Sequence, residues 1–281
     1  TLYNAQDLFP DTLVHMKHLS ESLPPIKYFR YKEKKAYQKN TRIVTISDQM
    51  KETIAQTGCD RSKIDVVYNW ADTVNLYHVS KQDNKLMDEL EIDKDKFTVS
   101  YAGDIGLFQG WDVILEAAKI LQKRKPEVQF AIIGSGSYKE KMIEKIETEK
   151  IENVKVYPLQ PASRLSEIYS IGDMELVPIE KGITKMALPS KNGVIMAVGS
   201  PILALVDNGS DIEKIINKNK IGVAIEHGSS DRLASTIEYC VSNKNELDNW
   251  GENARKFAEE NYSRKIQTKK YYESMFENGR R

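Results

Sequence analysis

Phe97-Thr98-Val99-Ser100-Tyr101-Ala102 runs straight into Gly103-Asp104-Ile105-Gly106-Leu107-Phe108-Gln109-Gly110-Trp111, and this junction decides how the rest of the chain is read. The first six residues have the length and the β-branched and aromatic content of a strand, and the glycines after them mark a turn into a helix. Residues Val128 to Ile133, Val154 to Tyr157, Met174 to Val177, Ile202 to Val206 and Gly222 to Ile225 are further strand-length apolar runs. Between the first two runs, Val113-Ile114-Leu115, Ala117-Ala118 and Ile120-Leu121 repeat at helical spacing and stop at Lys123-Arg124-Lys125-Pro126. Strands joined through helices must pair in parallel with right-handed crossovers, so the region from about 78 to about 260 predicts a doubly wound α/β sheet. Ligands of such sheets bind outside the carboxyl ends of the strands.

Upstream, Thr41 to Ser47 reads as a strand, Asp48 to Thr57 as a helix capped by Ser47 or Asp48, and Ile64 to Tyr68 as another strand. Together they form a partial βαβ unit. Asn69-Trp70-Ala71-Asp72 then breaks the pattern and marks residues 69–80 as a linker. The tail from Trp250 to Phe276 spaces Trp250, Ala254, Phe257, Ala258, Tyr262, Tyr271, Tyr272 and Met275 as one or two amphipathic helices. The basic cluster Lys27, Arg30, Lys32, Lys34, Lys35 and Lys39, interrupted by Glu33, reads as a solvated helix.

Among 281 residues, 41 Lys and Arg balance 41 Asp and Glu, which argues against a nucleic-acid partner held by bulk charge. Any phosphate recognition is therefore local. Cys59 and Cys240 are far apart and show no Cys-x-x-Cys spacing, so neither a disulfide framework nor a zinc site is expected, and a reducing cytoplasm fits. His15, His18, His78 and His227 lack metal-ligand spacing, so no metal is expected. No apolar run reaches membrane-spanning length and no signal peptide opens the chain, while a start at Thr1 reads as a fragment of something longer. Signatures of α/β-hydrolases, P-loop kinases and the full Gly-x-Gly-x-x-Gly dinucleotide fold are missing; position 139 is Lys where the third glycine would stand.

The turn from Gly103 to Gly106 has the grammar of a phosphate loop, since glycines permit close backbone approach and a following helix offers N–H groups to a diphosphate. A plain βα turn fits the same residues. A second glycine turn, Gly134-Ser135-Gly136-Ser137, is expected beside it on the same sheet edge. Leu188-Pro189-Ser190-Lys191 enters a helix from Asn192 to Val198 and is followed by Gly199-Ser200-Pro201. Lys191 stands in that helix's first turn, where a cation opposes the dipole and is better tolerated with an anion bound; a solvated surface lysine is the alternative.

In order, Tyr101-Ala102-Gly103-Asp104-Ile105-Gly106, Ile132-Ile133-Gly134-Ser135-Gly136, Leu188-Pro189-Ser190-Lys191 and Met196-Ala197-Val198-Gly199-Ser200-Pro201 resemble the group 1 glycosyltransferases. This is a large retaining family of the family 4-like kind with the GT-B fold. Gln6-Asp7-Leu8-Phe9-Pro10 and Tyr68-Asn69-Trp70-Ala71-Asp72 resemble the members that build O-antigen and capsular polysaccharide, so the likeness covers nearly the whole chain.

The resemblance implies two Rossmann-like domains: an acceptor-side remnant over 1–72 lacking its first part, a nucleotide-sugar domain over 73–260, and a helix over 261–281 returning to the first. It implies a hexosyltransferase-type enzyme, inactive as a fragment, that moves a sugar from a nucleotide-sugar donor to a saccharide or lipid-linked acceptor with retention. Such an enzyme works in the cytoplasm at the inner face of the membrane, with peripheral membrane contact through the missing region, and requires no cofactor or metal. By position, Gly103, Asp104, Ile105 and Gly106 would approach the donor diphosphate, Gly134, Ser135 and Gly136 would line the nucleotide, and Leu159 would meet the base. Ser190 and Lys191 would face the phosphates, with Lys191 stabilising the leaving diphosphate. Two glutamates usual in the family are Met186 and Val194 here, and its basic pair in the first glycine loop is replaced by Asp104 and Gln109, which makes the donor site divergent. The same architecture also admits a nucleotide-sugar epimerase or a non-catalytic module binding a nucleotide sugar or a partner.

Overall fold

A computed structural model describes residues 1–11, 14, 19–107, 109–179, 181–182 and 188–277. In chain order the elements are β1 (Leu2–Ala5), α1 (Pro24–Lys39), β2 (Arg42–Thr45), α2 (Asp48–Gln56), β3 (Ile64–Val66), α3 (Lys85–Glu89), β4 (Phe97–Asp104), α4 (Trp111–Arg124), β5 (Val128–Ser135), α5 (Lys139–Thr148), β6 (Val154–Tyr157), α6 (Leu165–Ile168) and β7 (Met174–Pro178). They continue as α7 (Lys191–Val198), β8 (Ile202–Leu205), α8 (Asp211–Asn219), β9 (Gly222–Ile225), α9 (Ser230–Ser242), α10 (Lys244–Asn261) and α11 (Arg264–Tyr272).

The strands form two parallel sheets, β1-β2-β3 and β6-β5-β4-β7-β8-β9. Every residue of β7 and β8 is buried, as expected of strands covered by helices on both faces. One layer of core packs Val99, Tyr101, Phe130 and Ile132 against Trp111, Ile114 and Leu121 of α4. The opposite layer packs Ala131, Ile133, Val177 and Ala204 under Ile195, Met196 and Val198 of α7. The β6-to-β4 half and the β7-to-β9 half diverge from the centre of the second sheet, which makes the β4/β7 border its topological switch point.

The first sheet departs from the sequence reading at its edge. β1 is too short and polar for periodicity to reveal, yet Leu2 to Ala5 pair in register with Arg42 to Thr45. The linker carries no strand or helix but is pinned. The Ala71 N–H donates to the Tyr262 carbonyl at 2.9 Å, and the Tyr68 N–H donates to Gln267 Oε1 at 3.0 Å. The rings of Tyr68 and Tyr262 stack at 4.8 Å. Further along, Tyr271 donates to Asn4 at 3.2 Å and Ser274 to Asp65 at 2.8 Å, so the C-terminal helices reach the first sheet.

A second set of bonds joins the sheets. The Asp211 carboxylate accepts from the Gln49 N–H at 2.7 Å, at the start of α2. Gln49 Oε1 accepts in turn from the Asp211 N–H at 3.1 Å, at the start of α8, so each helix supplies an acceptor to the other's first turn. Ser47, not Asp48, is the side chain that caps α2, accepting from the Met50 N–H at 3.1 Å.

Candidate functional site

At the carboxyl edge of the second sheet, β4 and β5 run two residues further than expected. Gly103 pairs with Gly134, and Asp104 with Ser135. The two glycines are therefore ladder residues, which corrects their reading as parts of open turns. An added Cβ at Gly134 would lie 2.0 Å from the Gly103 carbonyl oxygen, and one at Gly136 would meet Ile105 backbone atoms at 2.4–2.6 Å. Side chains are excluded there by the neighbouring strand itself.

The loop after β4 is closed by its own hydrogen bonds. Ile105 is buried, donates to the Ser135 carbonyl at 2.8 Å and accepts from the Tyr138 N–H at 2.9 Å. The Gly106 N–H donates to Gln109 Oε1 at 3.0 Å, and its carbonyl accepts from Trp111 Nε1 at 3.0 Å. Gln109 Nε2 donates to the Tyr101 hydroxyl at 3.0 Å, while that hydroxyl donates to the Asp104 carbonyl. Ile105 and Gly106 thus both give their N–H groups to protein acceptors. Gln109 locks the loop through both ends of its side-chain amide.

Across the switch point, β4 and β7 share only two register pairs, Val99 with Met174 and Ser100 with Glu175. The Glu175 side chain takes over where the ladder stops. It is fully buried, with Oε1 accepting from the Ala102 N–H at 2.9 Å and Oε2 accepting from Ser100 Oγ. Lys191 is the first residue of α7, and its Nζ lies 3.8 Å from the centroid of the Tyr101 ring and 3.5 Å from the Leu176 carbonyl. The ammonium thus sits where β4 and β7 part, one residue beyond their last register pair. Burial pushes the Glu175 carboxyl above the usual range and the Lys191 ammonium below its own, and the attraction of the two charges opposes both shifts.

Asn192, the next residue of α7, is also fully buried, and neither atom of its side-chain amide has a hydrogen-bond partner among the described residues. Such groups are uncommon enough to require a reason. Ser190 is exposed at the α7 start and does not cap it through its side chain; Leu159 is exposed in the loop after β6. Val194 borders a cavity of about 940 Å³ together with Trp70, Arg164, Arg264 and Lys265. Met186, His15 and His18 lie outside the described residues. Among the described residues no group of three or more His, Cys, Asp or Glu is arranged to hold a metal, and no helix is long and apolar enough to cross a membrane.

Tyr101 and Glu175 were not singled out from the sequence. One signal was available: Glu175 is the lone charge in Met174-Glu175-Leu176-Val177, a run whose neighbours mark it as buried on both faces.

The description of group 1 glycosyl transferases matches residues 82–257, which span β4 to α10 and every element of this site. The chain belongs to the group 1 glycosyl transferases. The chain is 26% identical over 266 residues to the probable glycosyltransferase WbjE of Pseudomonas aeruginosa, across 94% of the chain and 65% of that protein. It is 27% identical over 201 residues to the putative colanic acid biosynthesis glycosyl transferase WcaI of Escherichia coli K12, across 71% of the chain and 49% of that protein. The chain therefore spans about half to two thirds of the length of these relatives. Among solved structures, Anabaena HepE in complex with UDP superposes with a TM-score of 0.80 at 18% identity, over 98% of this chain and 71% of HepE. The architecture is the GT-B type, with parallel Rossmann-like sheets.

Proposed function

We propose that the crevice between β4 and β7 holds the diphosphate of a nucleotide sugar, and that the protein passes the sugar, with retention, to a saccharide or lipid-linked acceptor in bacterial surface polysaccharide synthesis. The observation that carries this reading is the pair Lys191 and Asn192. A half-buried cation and a buried, unpartnered amide occupy consecutive positions at the α7 N-terminus, on the carboxyl side of the sheet at its switch point. A lysine in a helix's first turn is unfavourable to the dipole, and an anion there reverses the sign of that interaction.

Transfer breaks the bond between C1 of the sugar and the diphosphate oxygen and forms one from C1 to the acceptor oxygen, whose hydroxyl proton passes to the departing diphosphate. Negative charge grows on the departing diphosphate. Lys191 and the α7 N–H groups would stabilise it from one side, with no metal assigned a role. The relative WcaI, named for colanic acid biosynthesis, supports a place in polysaccharide synthesis. HepE, solved with UDP and with UDP-glucose, makes a UDP-linked hexose the first donor to try. Isothermal titration with UDP, GDP and their hexose conjugates tests the reading: one nucleotide series should bind, and an absence of heat for all of them at millimolar concentration would rule it out.

A further inference from the structure

The strand gap at the switch point is filled by a carboxylate where a sheet would ordinarily continue its backbone ladder. Glu175 takes the Ala102 N–H that continued backbone pairing between β4 and β7 would have used, and Ser100 Oγ fixes its other oxygen. Both bonds orient the acid within the sheet. The Lys191 ammonium lies over the ring of Tyr101, the residue between the two that Glu175 holds, and 3.5 Å from the carbonyl of Leu176, the residue after Glu175. A fully buried, doubly hydrogen-bonded acid next to a half-buried lysine needs an account beyond packing, because an apolar residue would fill the same strand position at lower cost.

We infer that Glu175 is the positioning residue for Lys191: its fixed carboxylate keeps the ammonium charged and parked over Tyr101 at the strand gap, from where it turns to a bound diphosphate. The inference rests on the nucleotide-sugar reading of the same site. Desolvation weakens the hold of a lysine on its proton in this position, and the charge of the neighbouring carboxylate opposes that. The parked contacts are weak, one ring face and one carbonyl at 3.5 Å, so a phosphate oxygen can compete for the ammonium. Among the described residues, four titratable groups face the gap: Glu175 from β7, Lys191 from α7, Tyr101 from β4 and Tyr169 from the turn before β7. Asp104, exposed at the end of β4, acts on Tyr101. Burial holds both phenols above their usual range, so they stay neutral while Glu175 and Lys191 change charge.

The test is Glu175→Gln, which keeps an acceptor for the Ala102 N–H and a polar contact for Ser100 while removing the charge. The Lys191 ¹³Cε resonance, assigned by its loss in Lys191→Ala, is titrated by NMR in the ligand-free protein, and UDP affinity is measured from pH 6 to 9. In E175Q the Lys191 midpoint should fall by on the order of one pH unit or more, because the stabilising charge is gone. UDP affinity, which needs the ammonium, should then be lost at a correspondingly lower pH, while near pH 6 it equals or exceeds that of the parent. Ser100→Ala leaves the acid in place but weakens its charged form, so its midpoint should move the same way by less; this variant decides the matter if E175Q does not fold. A Lys191 midpoint unmoved in both variants overturns the inference. A moved midpoint in a protein that binds no nucleotide keeps the coupling and removes the donor reading.

Discussion

A methyl group introduced by Gly134→Ala would place its Cβ 2.0 Å from the carbonyl oxygen of Gly103 and 3.2 Å from both the carbonyl carbon and Ile105 Cγ1. The first two atoms belong to the paired strand, so no rotamer change relieves the overlap. To restore ordinary contact the ends of β4 and β5 must part by more than an ångström, at the register step from Gly103↔Gly134 to Asp104↔Ser135. That sacrifices two or so ladder hydrogen bonds, about 1 kcal/mol each net, and adds an overpacking cost of about 1–3 kcal/mol. Gly134→Ala should therefore destabilise by about 3–5 kcal/mol, or roughly 6–20 °C in melting temperature for a chain of this size. Gly106→Ala is the matched control. Its Cβ would approach only the Asp104 Oδ2 end of a flexible side chain, at 2.8 Å, and should shift the melting temperature little. Differential scanning calorimetry on both variants decides it: a Gly134→Ala protein melting within about 2 °C of the parent would refute the ladder geometry on which the site rests.

Other outcomes follow from single side chains. Arg255 donates to the carbonyls of Thr73 at 2.7 Å, Leu76 at 2.6 Å and Ala197, tying the linker to α7, so Arg255→Ala should cost about 3 kcal/mol in urea unfolding; under about 1 kcal/mol would show that the bonds are dispensable. Tyr262 is buried and its hydroxyl has no partner among the described residues, so Tyr262→Phe should leave stability unchanged or raise it by up to about 1 kcal/mol, and a clear loss would show that the hydroxyl is bonded. Gln49→Ala and Asp211→Ala each remove one side-chain acceptor from the other helix's first backbone N–H and should each cost about 1 kcal/mol in urea unfolding, whereas unchanged stability in both would mean that the bonds between the sheets contribute nothing. Asn192→Leu should hold or raise stability yet weaken UDP binding, and equal affinity would remove Asn192 from the site. Lys191 also sets a pH dependence. Its ammonium is held below the usual lysine range and an anion favours the charged form, so affinity should be full at low pH and fall as pH rises through that depressed value.

Much of the second sheet is written in its strands. Runs such as Ile202 to Leu205 are apolar at every position because both faces are covered, and continuous burial is a stronger signal than alternation. β1 carries no such signal: Leu2–Ala5 holds its place by backbone pairing with β2 and by the returning C-terminal segment, neither of which is local. The glycines of 103 and 134 look like turn residues in sequence because close strand approach and tight turns call for the same residue. Lys191 at the start of α7 could be read from its proline and helical spacing, but the direction of its ammonium could not. That direction depends on Tyr101 and Glu175, residues 90 and 16 positions away in the chain, meeting at a border where the strand order reverses.

The central claim is that Lys191 serves a diphosphate at the β4/β7 crevice. Calorimetric titration of UDP and of uridine into the parent and the Lys191→Ala variant tests it most directly. Losing a charged contact of about 1.5–3 kcal/mol should weaken UDP roughly 10- to 100-fold and leave uridine unchanged. Equal affinity of both proteins for UDP, or an equal loss for UDP and uridine, would contradict it.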